Sequence, residues 1–130
     1  MKVLIVDDDI GLTQLLQLVF ESRGFRVKIA HNGQSALQDI EQELPEVIVL
    51  DLTIPDVDGL EVCRQVRTNS RTANVPVIVL TAKPGDDIRD KALKAGATEY
   101  LSKPIRPSKL IQHIREVIAH PNFSATRVLT

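Results

Sequence analysis

Three acidic residues stand together at Asp7, Asp8 and Asp9, directly after the apolar run Val3-Leu4-Ile5-Val6, and a fourth, Asp51, closes a second run, Val47-Ile48-Val49-Leu50. Thr81 ends a third run, Val77-Ile78-Val79-Leu80, and Lys103 follows Tyr100-Leu101-Ser102. Carboxylates, a hydroxyl and an ammonium, each placed after a strand-like run, make a set able to bind a hard cation and a phosphoryl group. Two carboxylates about 4 Å apart repel by roughly 4 kcal/mol at an effective dielectric near 20, so if Asp7, Asp8 and Asp51 meet, something positive must occupy the site. Oxygen donors without Cys or His at ligand spacing favour Mg²⁺, with Mn²⁺ as the alternative ion. Asp51 is the candidate nucleophile. In-line transfer of a phosphoryl group to a carboxylate is mostly positioning and charge neutralisation, which a metal ion and Lys103 would supply while the Thr81 hydroxyl donates to a phosphoryl oxygen. Taken singly, Asp51 is also a common turn residue, Thr81 a β-branched strand residue and Lys103 a solvated lysine; their joint placement at strand ends carries the reading.

These residues can meet only if the runs lie side by side. Four apolar residues without polar alternation are the pattern of strands buried on both faces, which occur mainly in parallel sheets covered by helices. Between the runs, Leu12, Leu15, Leu16, Val19 and Phe20 recur at helical spacing over roughly residues 10 to 23, with Asp9 as the cap before them and Gly24 closing the helix. Phe25, Val27 and Ile29 alternate with Arg26 and Lys28, as in a half-exposed edge strand. Asn32-Gly33 reads as a turn, and Ala36, Leu37, Ile40 and Leu44 as a helical stripe ended by Pro45. Asp56, Asp58 and Gly59 punctuate the loop after Asp51 as turn residues. Leu60, Cys63 and Val66 mark a third helix, Thr68 to Asn74 a polar stretch, and Lys83-Pro84-Gly85-Asp86 a loop. Ile88, Ala92, Leu93 and Ala95 mark a fourth helix closed by Gly96. Pro107 suits the first turn of a fifth, whose apolar face is Leu110, Ile111, Ile114, Val117 and Ile118. Five strands alternating with five helices predict a three-layer α/β/α sandwich around a doubly wound parallel sheet. With the half-exposed strand outermost beside the first, the order is 2-1-3-4-5, and the strand ends lie where such sheets bind ligands.

The bulk properties narrow the function. The chain of 130 residues is the size of one domain, read as residues 1–120 with 121–130 as a tail or the start of a linker. A formal charge of −1 leaves no global footprint for nucleic acid or an anionic membrane. The single Cys63 suits a reducing cytoplasm and reads as a buried helix residue. The amino terminus is apolar for too short a stretch to be a signal peptide, and nothing is long enough to span a bilayer. His31, His113 and His120 share no ligand spacing and read as surface or helix-face residues.

The acidic Asp7-Asp8, Asp51 within Asp-Leu-Thr-Ile-Pro-Asp-Val-Asp-Gly, Thr81-Ala82 and Lys103-Pro104, in this order over roughly residues 2 to 119, resemble the response-regulator receiver domains of two-component signalling. The resemblance implies a flavodoxin-like fold in which Asp51 accepts a phosphoryl group from a phosphohistidine on a sensor kinase or phosphotransfer protein. It implies Mg²⁺ held by Asp8, Asp51 and the backbone carbonyl of Thr53, with Asp7 assisting through water. Thr81 and Lys103 would bind phosphoryl oxygens, Tyr100 would turn inward when Thr81 moves, and the Lys103-Pro104 bond would be cis. The implied protein is not an enzyme acting on other substrates. It is a cytoplasmic monomer or weak dimer that signals through the fourth helix, fifth strand and fifth helix to an output partner or a removed output domain. Receivers of winged-helix regulators usually carry an acid, an acid and an arginine where this chain has Thr98, Lys109 and His113, so their symmetric dimer is not expected.

Two rivals come from other classes. A phosphatase of the haloacid dehalogenase type also uses a strand-end Asp with Thr, Lys and Mg²⁺, but needs a second Asp two residues after its nucleophile, where this chain has Thr53. A phosphorylation-independent binding module would not require the full set of Asp7, Asp8, Asp51, Thr81 and Lys103.

Overall fold

The computed structural model describes residues 1–82 and 85–119. The expectations for the tail, His120 and the Lys83-Pro84 part of the loop lie outside the described residues. The chain alternates β1 (Lys2–Val6), α1 (Ile10–Ser22), β2 (Arg26–Ala30), α2 (Gly33–Gln42), β3 (Val47–Leu50), α3 (Gly59–Thr68), β4 (Val77–Thr81), α4 (Asp86–Lys94), β5 (Glu99–Ser102) and α5 (Pro107–Ala119). All strand pairs are parallel, in the order β2-β1-β3-β4-β5. Every residue of β3 and β4 is buried, as continuous apolar runs in a covered parallel sheet require.

Two cores fill the two faces of the sheet. On one, Leu4, Val6, Ile48, Leu50, Val77 and Val79 pack under α2, α3 and α4. On the other, Val3, Ile5, Val47, Val49, Ile78 and Leu80 pack under α1 and α5. The alternation of Cβ direction along each strand divides consecutive apolar residues between the two layers.

Local chemistry sets the helix ends. Asp9 accepts from the Leu12 N–H and so caps α1. At the other end Gly24, at φ +88, closes a Schellman motif in which Phe25 N–H bonds to Phe20 O and Gly24 N–H to Glu21 O. Phe25 therefore precedes β2, and its ring packs on Phe20 with centroids 5.4 Å apart. Gly96 closes α4 in the same way, through Ala97 N–H to Ala92 O. Asn32 and Gly33 do not form a separate turn: Asn32 caps α2 through the Ser35 N–H, and Gly33 is its first residue. Leu44 lies past the end of α2 and is exposed, because that helix stops at Gln42. The polar stretch after α3 hides one buried residue, Thr72, whose hydroxyl bonds to Val66 O.

Candidate functional site

The carboxyl edge of the sheet gathers the residues that the sequence marks as chemical. Asp7 follows β1 and Asp51 follows β3; both are buried, whereas Asp8 is exposed. One carboxylate oxygen from each of Asp7, Asp8 and Asp51 lies within 4.8 Å of the others. The register of β1 and β3 explains this: Val6 pairs with Leu50, and Asp51 N–H bonds to Val6 O at 2.9 Å, so the two strands end level.

The required positive charge comes from Lys103. Its Nζ lies 2.6 Å from Asp7 Oδ2 and 3.0 Å from Asp51 Oδ2, reaching over the end of β4 from the far edge of the sheet. Burial pulls the Lys103 pKa down, but the hydrogen bonds and charges of Asp7 and Asp51 outweigh it and hold the ammonium above the ordinary lysine value. The remaining carboxylate oxygens take backbone donors. Asp9 N–H bonds to Asp7 Oδ1 at 2.9 Å, and Thr53 N–H to Asp51 Oδ1 at 3.0 Å.

Thr81, at the end of β4, is fully buried. Tyr100 is half-buried on β5 and packs against the core under α2, α3 and α4. The Lys103-Pro104 bond is cis, as the resemblance implies. The donor set fits a hard cation: three carboxylates from two adjacent strand ends converge, two of them with one oxygen already engaged by a backbone N–H.

Several residues take parts that the sequence reading did not assign. His31, though exposed, is anchored with Nδ1 3.0 Å from Asp7 O. Asp58 does more than mark a turn: it caps α3 through Leu60 N–H at 2.9 Å. Asp56 sits in the left-handed region at φ +66, and its carboxylate accepts from Gly33 N–H at 2.9 Å and Gln34 N–H at 3.3 Å. Away from the site, Arg67 donates to Val75 O at 2.6 Å, Gly96 O at 2.8 Å, Ala73 O at 3.3 Å and Thr98 Oγ1 at 3.1 Å. Burial lowers the pKa of that guanidinium. Thr98 also accepts from Val77 N–H, so it is committed inside the chain. His113 Nδ1 lies 2.6 Å from Glu99 Oε1, without hydrogen-bond geometry, tying α5 to β5 within one molecule. The signal for these pairings is three-dimensional: the partners lie 14 to 31 residues apart in the Glu99–His113, Asp56–Gly33 and Arg67–Thr98 cases.

Residues 3–115 match the family model described as the response regulator receiver domain. Among curated relatives, the response regulator MprA of Mycobacterium avium (strain 104) is 38% identical over 118 residues, which cover 91% of this chain and 51% of that protein. A 14.6 kDa uncharacterised protein of Leptolyngbya boryana is 37% identical over 116 residues, 89% of this chain and 88% of its own length. The chain thus spans about half the length of the MprA relatives that it matches. Among solved structures, a putative response regulator from Chloroflexus aurantiacus superposes with a TM-score of 0.85 at 35% identity, covering 91% of this chain and 97% of that one.

Proposed function

Since this chain belongs to the response regulator receiver domain family, we propose that it is the phosphoacceptor of a His-to-Asp phosphorelay and that Asp51 takes the phosphoryl group. The observation that carries this reading is the meeting of Asp51, two further acids and the Lys103 ammonium at one sheet edge. In the transfer, an Asp51 carboxylate oxygen attacks the phosphorus of a phosphohistidine on a sensor kinase or phosphotransfer protein. A P–O bond forms as the P–N bond breaks, and the bonding pair returns to the imidazole nitrogen, which takes up a proton. The product is a mixed carboxylic–phosphoric anhydride.

Mg²⁺, or Mn²⁺ on the same donors, supplies charge neutralisation at the phosphoryl oxygens. Asp8, Asp51 and the backbone carbonyl of Thr53 are the residues to hold it, with Asp7 acting through water. Lys103 exchanges its bond to Asp51 for one to a phosphoryl oxygen while staying on Asp7, and the Thr81 hydroxyl donates to a second oxygen. The chain then catalyses only its own phosphorylation and dephosphorylation.

The readout follows from the new charge. A dianion at Asp51 attracts Thr81 and Lys103, and movement of Thr81 opens space towards Tyr100 on the neighbouring strand, register-paired at Val79. The face of α4, β5 and α5 changes as Tyr100 follows. That face serves an output partner, or an output segment in a longer chain, and the domain acts as a cytoplasmic monomer or weak dimer without contacting nucleic acid or membrane. Among the described residues, no helix is long and apolar enough to cross a membrane.

Acetyl phosphate treatment followed by intact-mass measurement tests the reading. Phosphorylation should require Mg²⁺ and vanish in Asp51→Asn; full labelling in chelator or of the variant would overturn it. Beryllofluoride should shift amide exchange at Tyr100 and along α5, and changes confined to the loops around Asp51 would remove the proposed output face.

A further inference from the structure

The loop from Leu52 to Asp58 carries the Thr53 carbonyl and must hold it steady, yet it contains no helix or strand of its own. Its two ends are fixed. At the start, Thr53 N–H bonds to Asp51 Oδ1; at the end, Gly59 packs so closely that an added Cβ would stand 2.5 Å from Leu52 Cα and 3.0 Å from Asp51 O. The middle is held by Asp56 alone among its carboxylates. Asp56 Oδ1 takes the first two free N–H groups of α2, those of Gly33 and Gln34, and is also reached by Val57 N–H. Pro55 O adds a second acceptor for Gly33 N–H at 3.3 Å. The backbone contact is equally tight: a Cβ on Gly33 would lie 2.6 Å from Val57 Cβ and 2.9 Å from Val57 O.

Asp56 reaches α2 only because it adopts a left-handed backbone, a conformation that most residues resist but Asp, Asn and Gly accept. A helix N-terminus rewards a carboxylate both with donors and with its dipole. The loop is thereby clamped to a helix on the α2–α4 face of the sheet, 23 residues earlier in the chain.

From this geometry we infer that Asp56 is a positioning residue for metal binding and phosphoryl transfer: by pinning the middle of the loop to the N-terminus of α2, it fixes the direction of the Thr53 carbonyl beside Asp51. The inference rests on the proposed role of Thr53 and Asp51. Asp56 itself stands outside the converging carboxylates of Asp7, Asp8 and Asp51. Groups that orient a ligand from outside the coordination sphere typically change metal affinity by about 10- to 100-fold when lost.

The test uses the whole chain and three variants. Asp56→Gly removes the carboxylate and keeps the left-handed backbone; Asp56→Asn keeps an acceptor and a tolerated backbone; Gly33→Ala pushes the same contact apart from the helix side. Mg²⁺ affinity is followed by titration, amide exchange at Gly33, Gln34 and Thr53 is followed in chelator, and melting temperature is recorded beside them. Asp56→Gly should weaken Mg²⁺ binding by about tenfold and expose the Gly33 and Thr53 amides to exchange. Asp56→Asn should restore both, and Gly33→Ala should reproduce the lesion. Unchanged Mg²⁺ affinity in Asp56→Gly, or a loss that Asp56→Asn shares in full, overturns the inference, the second outcome by assigning the effect to charge. If Asp56→Gly fails to fold, Gly33→Ala decides: weakened Mg²⁺ binding with exposed Gly33 and Thr53 amides supports the inference, and unchanged Mg²⁺ affinity overturns it. None of these readouts needs a phosphodonor, so a wild-type chain that binds Mg²⁺ but is never labelled removes the phosphoacceptor reading and the phosphoryl-transfer part of this inference, while its metal-binding part is still decided by the Mg²⁺ titrations.

Discussion

Replacing Lys103 with Met removes the ammonium that joins two strand ends and leaves an apolar stem of similar length. Two carboxylates then face each other with a backbone donor each but no counter-charge, Asp7 at 5% and Asp51 at 8% side-chain exposure. Breaking a buried ion pair by deleting one partner typically costs about 3 to 5 kcal/mol, because the remaining charge is uncompensated. Here the Lys103 side chain is 19% exposed and solvent can approach from the side of the exposed Asp8, so the lower figure, about 3 kcal/mol, applies. For a domain of this size that corresponds to a fall of roughly 10 °C in melting temperature. Urea denaturation in chelator and in saturating Mg²⁺ measures it. In chelator the full loss should appear; in Mg²⁺ most of it should be recovered, since the cation replaces the missing charge. The pH dependence has a definite sign. Because the folded-state pKa of Lys103 is raised, the pair contributes fully below the ordinary lysine value of 10.5 and its contribution is lost as the pH climbs through the folded-state value. Wild type should therefore lose stability in that alkaline window by a step that the variant lacks. A loss below about 1 kcal/mol in chelator, within the range of a solvent-screened pair, would refute the reasoning. So would an equal loss with and without Mg²⁺.

Asp8 adds a third charge to this cluster from an exposed position, so Asp8→Ala should raise stability in chelator by about 1 kcal/mol and abolish the Mg²⁺ response; a fall instead would reveal a structural role for Asp8. Arg67→Met deprives three carbonyls and a hydroxyl of their donor and should cost about 2 to 3 kcal/mol in urea denaturation. Thr98→Asp, which keeps an acceptor beside that guanidinium and adds a counter-charge, should raise the midpoint. Cys63 is buried and burial pushes its thiol up to about 11, so iodoacetamide at pH 8 should label it only in denaturant; rapid labelling of the native chain would place it at the surface.

The elements that were readable in the sequence are those whose signal is local. Val47 to Leu50 and Val77 to Thr81 announce buried strands because every position must be apolar or nearly so, and the strand order follows from the half-exposed pattern of Arg26 to Ala30. The acidic cluster was readable for the same reason, since parallel strands of known order carry their end residues to one edge. Periodicity places Phe25 in β2, but the glycine cap of α1 claims it as the residue that packs back on Phe20. Gly33 looks like a turn residue, whereas its lack of a side chain serves contact with Val57. Asp56 and Arg67 are one more turn acid and one more helix-end base until the folded chain brings Gly33 and Thr98 to them. No window of neighbouring residues contains those partners.

Lys103 is 96 residues from Asp7 and 52 from Asp51. Contacts so distant along the chain are expensive to close early, because loop entropy must be overcome before they reward it. During synthesis the first three strands and their acids emerge well before the lysine. A growing or truncated chain that ends ahead of β5 holds its carboxylates without their counter-charge, and it also lacks the strand that carries Tyr100. Under the proposed function, reactivity at Asp51 and the means to report it would be completed by the same late stretch of polypeptide, which carries both Lys103 and Tyr100.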